Sequence, residues 1–277
     1  MNLKSLRFLT LGILFLTVSC GEPVKTPARI EVPLEPKPEV LPEPQLIPPS
    51  FENLLSGSGR PDADREQDAG RKPAEVIAFL GIEPGMTVID LLTANGYYTE
   101  VLSLRVGDEG KVYAHNTAFM LTFMDGANDK AMSKRLEGGR LANVERLDRE
   151  LSDLGLAEGS IDVAMTAMNF HDFYYNGGSE AVQGILAAVM ATLKPGGVLG
   201  IIDHVGVAGV DNSKLHRIDP EIVRQEVQKA GFELGGESDM LANSEDGHDS
   251  SVFGELRGRT DRLLIRLVKP SEQTQAD

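Results

Sequence analysis

Thr87-Val88-Ile89-Asp90-Leu91-Leu92-Thr93-Ala94-Asn95-Gly96-Tyr97-Tyr98-Thr99 is the stretch from which the fold is read. A short apolar run, Val88 and Ile89, ends in the carboxylate of Asp90. A loop of small residues follows, and a helix begins near Tyr98-Thr99-Glu100. A strand that turns tightly into a helix leaves free backbone N–H groups at the helix start, beside a carboxylate suited to a ribose. That combination is a nucleotide pocket.

Outward from this stretch, strands and helices alternate. Ala74 to Leu80 carries apolar residues at helical spacing behind Pro73, which suits a first turn. Thr99 to Leu104 continues the helix after the loop. Lys111 to Ala114 reads as a second strand ending at His115-Asn116. Met120 to Leu136 reads as a partly irregular helix, Asn143 to Leu147 as a short third strand and Ile161 to Ala167 as a fourth. Ser179 to Leu193 is an amphipathic helix stopped by Lys194-Pro195-Gly196-Gly197. Val198 to Ile202 is apolar throughout, as a strand buried on both faces is. Pro220 to Ala230 is a helix, and Phe232 to Leu234 with Arg262 to Val268 supplies the last strands. The expectation is an α/β fold with a doubly wound, mostly parallel, Rossmann-like seven-stranded sheet and an antiparallel edge.

The Asp90 to Thr99 segment resembles the first motif of class I S-adenosylmethionine-dependent methyltransferases, where an acidic residue precedes alternating glycines. Asp90 and Gly96 match it, and Leu92 and Ala94 stand where that pattern has glycine. Alanine leaves less room for backbone approach than glycine and disfavours positive φ. The layout is similar to the methyltransferase fold over nearly the whole domain, including the Leu193 to Gly197 turn before a buried strand. A closer resemblance is to a group of predicted, often exported methyltransferases. Its marks are Arg60-Pro61 through Arg65 to Arg71-Lys72-Pro73, Asn169-Phe170-His171-Asp172, Asp203-His204, Leu215-His216-Arg217-Ile218-Asp219 and Thr260-Asp261-Arg262. That group tolerates a bulky residue at the position of Leu92.

The resemblance implies S-adenosylmethionine as cofactor, held by Asp90, Leu92, Ala94 and Gly96. Asn116 ends the second strand, where related enzymes place an acidic ribose ligand. An amide there could accept from one hydroxyl and donate to another. Glu150 follows the third strand at the position that faces the adenine amine, with Asp148 as a substitute. Asn169 completes the cofactor set. His171 is the candidate general base, a residue type able to take a proton from a hydroxyl or amine, supported by Asp203 or His204. Each residue also has a plainer reading. Asp90 could cap a turn, and Asn116 and Glu150 could face solvent. The histidines and aspartates could form a hydrogen-bonded network fixing the strand ends. A metal site from His171, His204 and Asp203 is conceivable by residue type, but no close ligand spacing supports it, and no metal is expected. Arginines 60, 65 and 71 could line a lid over the pocket.

The N-terminus speaks to location. Lys4 and Arg7 precede an apolar run, Leu9 to Val18, too short to span a bilayer as a mature helix. Leu16-Thr17-Val18-Ser19-Cys20-Gly21 resembles a bacterial lipoprotein signal cut before Cys20, the one cysteine of the chain. Residues 1–19 are thus expected to be a signal peptide. Residues 20–50 would be a lipidated Cys20 and a proline-rich tether, 51–270 the methyltransferase-like domain, and 271–277 a polar tail. Nine prolines between Pro23 and Pro49 favour extended chain with no core. The anchor would sit in the cell envelope, at the outer membrane or periplasmic face. Without a further thiol, disulfides, thiolate zinc and cysteine nucleophiles are excluded from the domain.

The formal charge of −15 and the lack of a basic stripe argue against nucleic acid as a partner. A small-molecule substrate is expected. Two rivals stand beside the methyltransferase. One is a binding or scaffolding lipoprotein that keeps the fold without the reaction, since an extracytoplasmic domain has no obvious cofactor supply. The other, a nicotinamide oxidoreductase, is disfavoured because Gly-x-Gly-x-x-Gly is missing after Val88.

Overall fold

The computed structural model describes residues 50–271. Cys20, the signal peptide, the tether up to residue 49 and residues 272–277 lie outside the described residues. Three helices open the domain: α1 (Phe51–Ser56), α2 (Asp62–Arg71) and α3 (Pro73–Leu80). Then come β1 (Thr87–Leu91), α4 (Tyr97–Val106), β2 (Lys111–Asn116), α5 (Ala118–Leu136), β3 (Val144–Asp148) and β4 (Ile161–Ala167). The chain continues as α6 (Phe170–Thr192), β5 (Leu193–His204), α7 (Pro220–Lys229), β6 (Glu233–Ser238) and β7 (Arg262–Val268).

The seven strands lie in the order β3-β2-β1-β4-β5-β7-β6. The first five are mutually parallel, and β7 runs antiparallel between β5 and β6. This is the doubly wound sheet expected from the alternation of elements, with its antiparallel pair at one end. The strand order turns back at β1, between β2 and β4. Chains leaving β1 and β4 therefore depart to opposite sides, and a crevice opens beyond their carboxyl ends.

Successive strand residues point to opposite faces. Val88 packs with Leu55, Val76, Ile77, Leu80 and Val101 of α1, α3 and α4. Ile89 and Leu91 pack with Phe170, Leu186, Val189, Val223 and Val227 of α6 and α7. Fully burying such a side chain contributes about 1.5–3 kcal/mol. The alternation places Asp90 on the α4 side. Gly200 of β5 is required by close packing: a Cβ there would lie 2.6 Å from both methyl groups of Leu80.

Three helices differ from the expectation, and β5 takes in the Leu193 to Gly197 segment expected as a turn before it. The helices Phe51–Ser56 and Asp62–Arg71 were not read from the sequence, because both are short and α2 is almost wholly polar. The helix expected over Ser179 to Leu193 is the second part of α6, which starts at Phe170 and is interrupted at Gly178 (φ 68°). The Gly177-Gly178 pair masks that continuity. In α5 the expected irregularity falls at Phe123–Gly126, where the backbone leaves helical geometry and then runs left-handed.

Residues 239–261, between β6 and β7, are held by a buried ion pair. Arg217 and Asp246 have fully buried side chains and meet in a two-pronged contact of 2.9 Å and 2.9 Å. Arg217 also donates to the carbonyls of Val205 and Ser250, each at 2.9 Å. Removing one partner would leave a buried, uncompensated charge, which costs about 3–5 kcal/mol. Asp246→Ala is therefore expected to lower the melting temperature by on the order of 10 °C. A change within 2 °C, by the same calorimetric scan, would show that the pair does not fix this segment.

Candidate active site

The loop from β1 to α4 follows a left-handed path. Leu92 and Ala94 have φ of 51° and 51°, and Gly96 has φ of 87°. Each non-glycine residue in this region costs about 1–2 kcal/mol, so neighbours must hold the path. The end of β2 does so. The Leu92 N–H donates to His115 Nδ1 (3.3 Å), and the Thr93 N–H to the His115 carbonyl (2.9 Å). The Ala94 N–H donates to Asn116 Oδ1 (3.0 Å), and Asn116 Nδ2 donates back to the Ala94 carbonyl (3.2 Å). Burial drives the His115 pKa down to about 4, so the ring is neutral near pH 7. With Nδ1 accepting, the ring proton sits on Nε2, which donates to the Arg149 carbonyl (3.0 Å).

Asp90 stands under this loop, 2% exposed, and accepts from Thr99 Oγ1 at 2.7 Å. Burial raises its pKa to about 6, against the opposing hydrogen bonds of Thr93 and Thr99. Gly96 is buried against α5. A Cβ there would lie 2.6 Å from Met132 Cε and 3.0 Å from Arg135 Cδ. Arg135 in turn donates to the Asn95 carbonyl (2.8 Å) and pairs with Asp64 (2.6 Å) and Glu100.

Beyond β4 and β5, a second arrangement centres on Asp203, which has no exposed surface. Its carboxylate accepts from the His171 N–H (2.7 Å), the His171 ring Nδ1 (2.8 Å) and the His204 N–H (2.8 Å). The start of α6 is thereby tied to the end of β5. With its Nδ1 proton directed at Asp203, His171 keeps Nε2 for the cavity, 3.6 Å from Asp172 Oδ2. Burial lowers the His171 pKa, but the charge and hydrogen bond of Asp203 outweigh it, and the net shift is upward. His204 differs. Burial takes its pKa down to about 4, with Asp203 opposing, and its Nδ1 meets Thr260 Oγ1 at 2.7 Å.

Between the two arrangements lies a cavity of about 1050 Å³. Leu92 and Asn95 border it from the loop, Thr117, Phe119 and Met120 from the end of β2 and the start of α5, and Leu151 from beyond β3. Met168, Asn169, His171, Asp172 and His204 border it from β4, α6 and β5, and Gln67, Arg71, Phe253 and Arg262 close it from above. Enzyme pockets for organic ligands typically hold about 300–1,000 Å³. The volume stands at the upper end of that range.

Comparison with solved structures identifies the architecture. A S-adenosylmethionine-dependent methyltransferase from Aquifex aeolicus superposes with a TM-score of 0.56 at 20% identity, over 74% of this chain and 94% of that chain. The [4+2]-cyclase SpnF superposes with a TM-score of 0.54 at 16% identity, over 80% of this chain and 92% of that chain. The chain has the class I methyltransferase fold. No protein-family model matches it, and no curated protein matches it in sequence. The likeness is one of fold alone, and the cyclase shows that this fold serves more than one named reaction.

The structure sorts the residues singled out from the sequence. Leu92, Asn169, His171 and His204 border the cavity. Asn169 is braced by donation to the carbonyls of Ala167 (2.8 Å) and Leu92 (3.3 Å). Asp90, Gly96 and Asp203 do not border it: they are enclosed and hold its walls. Asn116, read as a ribose ligand, is 1% exposed with both ends of its amide engaged by Ala94. Glu150, read as an adenine contact, is exposed beside a separate shallow hollow with Asp148, Arg149 and Asp153, while its neighbour Leu151 borders the main cavity. Arg60 and Arg65 are no lid. Arg60 is buried against Asp68 and the Leu55 carbonyl, and Arg65 holds the carbonyls of Gly57 and Arg60. Arg71 alone of the three borders the cavity. The histidines that converge with a carboxylate are His171 and His216 about Asp172, with one donor atom from each residue lying within 4.8 Å of the others. The set of His171, His204 and Asp203 does not converge, because Asp203 is turned to the His171 Nδ1. His115, Thr117, Met120 and Leu151 were not singled out. Their position at parallel strand ends was the available signal.

Because Ala94 carries the left-handed strain without glycine's freedom, Ala94→Gly is expected to stabilise the domain by about 0.5–1 kcal/mol. Denaturant unfolding measures this. Destabilisation by a similar amount would mean that the Ala94 methyl packs usefully and the path is not strained.

Proposed function

We propose that the protein is a S-adenosylmethionine-dependent methyltransferase for a small-molecule acceptor. The observation that carries this reading is the cavity itself. A β1–α4 loop on the glycine-type path forms one wall, and a histidine with a free Nε2, oriented by a buried carboxylate, forms the opposite wall. The residues fit the cofactor. Thr117, Met120 and Leu151 offer a largely apolar bed for a purine, and Leu92, Asn95, Met168 and Asn169 line the way towards His171.

When bound, S-adenosylmethionine supplies a methyl group already activated on a sulfonium. The chain's own part is to position and to handle a proton. His171 Nε2 takes the proton of an acceptor hydroxyl or amine. Asp203 fixes the ring through Nδ1 and steadies the imidazolium that forms, with Asp172 at 3.6 Å on the other nitrogen. His204 remains neutral and bonded to Thr260. Asp90, Gly96 and Asn116 act at one remove, by holding the loop.

Calorimetric titration of the full chain with S-adenosylhomocysteine is the first test. Binding is expected, and it should survive in His171→Ala with an unchanged dissociation constant. Release of S-adenosylhomocysteine with a panel of small acceptors should fall about 10²–10⁴-fold in that variant. If His171→Ala instead lost cofactor binding along with melting temperature, His171 would be structural and not a base. No binding by the wild type would leave the rival reading, a lipoprotein with the fold and without the reaction. Leu92, a bulky side chain on the cofactor loop, is the observation that favours that rival.

We also propose that the protein is one of a group of exported methyltransferases, anchored in the cell envelope by a lipid on Cys20. The support is the signal-like N-terminus, the single cysteine and the proline-rich spacer. Cys20→Ser should yield an uncleaved or soluble form in membrane fractionation. Processing and membrane attachment like those of the wild type would sink the assignment.

A further inference from the structure

Arg262 is unusual among the cavity's side chains. It opens β7 directly opposite His204 in the sheet register, at the level where the strand ends carry the candidate base. It is 6% exposed. Its Nη2 donates to the Gly70 carbonyl (2.6 Å) and its Nε to the Thr260 carbonyl (3.2 Å). Its Nη1 has no hydrogen-bond partner among the described residues. Arg71 borders the same cavity, with its guanidinium stacked 4.2 Å over the ring centre of Tyr97. Stacking leaves the in-plane N–H groups of a guanidinium free for a planar oxyanion.

Neither arginine pairs with a carboxylate among the described residues, although acids are close by. Asp68 is engaged by Arg60 and the Tyr97 hydroxyl, and Asp90 by Thr99. Asp203 is engaged by His171, and Asp261 by His248. Burial holds the Arg262 pKa below its ordinary value, with Tyr98 and the adjacent Asp261 opposing and the charge of Arg71 adding to the effect. Two guanidinium groups that repel each other, one of them buried, are unfavourable without a counter-charge. They persist here in a chain of net charge −15, which has carboxylates to spare. The rest of the cavity is mixed, with Arg257, Asp172, His216 and several side-chain amides beside an apolar rim. Phe119, Phe123, Met124 and Phe253 border it and are 69%, 49%, 71% and 61% exposed.

We infer that the methyl acceptor is an apolar carboxylic acid, its carboxylate seated on Arg71 and Arg262 and its body against the aromatic rim. The inference rests on the methyltransferase reading above and names the substrate class for it. The carboxylate would lie at the start of β7, beside the histidines of α6 and β5. That position leaves the acceptor's nucleophilic atom within the part of the cavity that His171 serves.

Benzoate, a carboxylate on a flat apolar ring, is the probe. It is titrated calorimetrically into the full chain, with and without saturating S-adenosylhomocysteine, and cofactor-product binding is read in its own arm. Wild type is expected to bind benzoate, and Arg262→Gln and Arg71→Gln to weaken that binding at least tenfold. Arg71→Gln keeps the test available if Arg262→Gln does not fold. Failure of wild type to bind benzoate, or unchanged affinity in both folded variants, would overturn the inference. Inorganic phosphate bound tenfold more tightly than benzoate would overturn the carboxylate. If the variants weaken S-adenosylhomocysteine but not 5′-methylthioadenosine, the guanidiniums serve the cofactor's own carboxylate and the acceptor assignment is wrong. Absence of S-adenosylhomocysteine binding with benzoate binding intact would sink the methyltransferase reading and, with it, the acceptor role, while leaving the anion site in place.

Discussion

The path of residues 92–96 is the constraint on which the rest of the molecule depends. Three left-handed residues in five turn the chain from β1 into α4, and only one of them is glycine. Backbone strain of this kind persists only where the surroundings over-determine it. Here the surroundings are the last two residues of β2. His115 receives the Leu92 amide and gives its own carbonyl to Thr93, and Asn116 clasps Ala94 from both sides. Below, Thr93 and Thr99 share a hydrogen bond of 2.5 Å, and Thr99 reaches Asp90. A polar framework thus does the work that two further glycines would do by conformational freedom. The wall of the cavity keeps its shape, and it acquires Leu92 as a lining residue.

The opposite wall depends on a different kind of constraint. A buried carboxylate is unfavourable unless its lone pairs are met. Asp203 meets them with two backbone amides and one imidazole, drawn from β5 and α6. Satisfying the charge therefore also sets the tautomer and direction of His171. The same residue that fastens a helix to a sheet orients the nitrogen that faces the cavity. His204, next in sequence to Asp203, is bonded to Thr260 and its pKa is shifted down where that of His171 is shifted up, so the two histidines do not duplicate each other.

The sheet was legible because its signals are local: apolar runs bounded by glycine, with helical spacing between them. The strand ends that carry polar residues were legible for the same reason, and they supplied His171, Asp203 and Asn169. What the sequence did not carry was direction. Asn116 and Leu92 occupy the expected places in the chain, yet the amide turns into the loop and the leucine towards the cavity. Glu150 and Leu151 differ by one position, and that one position decides which of them borders the cavity. The glycine pattern was informative about backbone path more than about residue identity. Its partial loss in the sequence therefore overstated the change in structure. Arg60, Arg65 and Arg71 read alike as a charged segment, and only their folded partners separate two structural arginines from one that faces the cavity.

The central claim is that these two walls enclose one site for a nucleoside thioether and an acceptor. A crystal structure of the full chain grown with S-adenosylhomocysteine tests it most directly. The account predicts the nucleoside against Thr117, Met120 and Leu151, with its sulfur on the side of the cavity that His171 Nε2 faces. Density for the nucleoside anywhere else on the domain, or in this cavity with the sulfur turned away from His171, would contradict it.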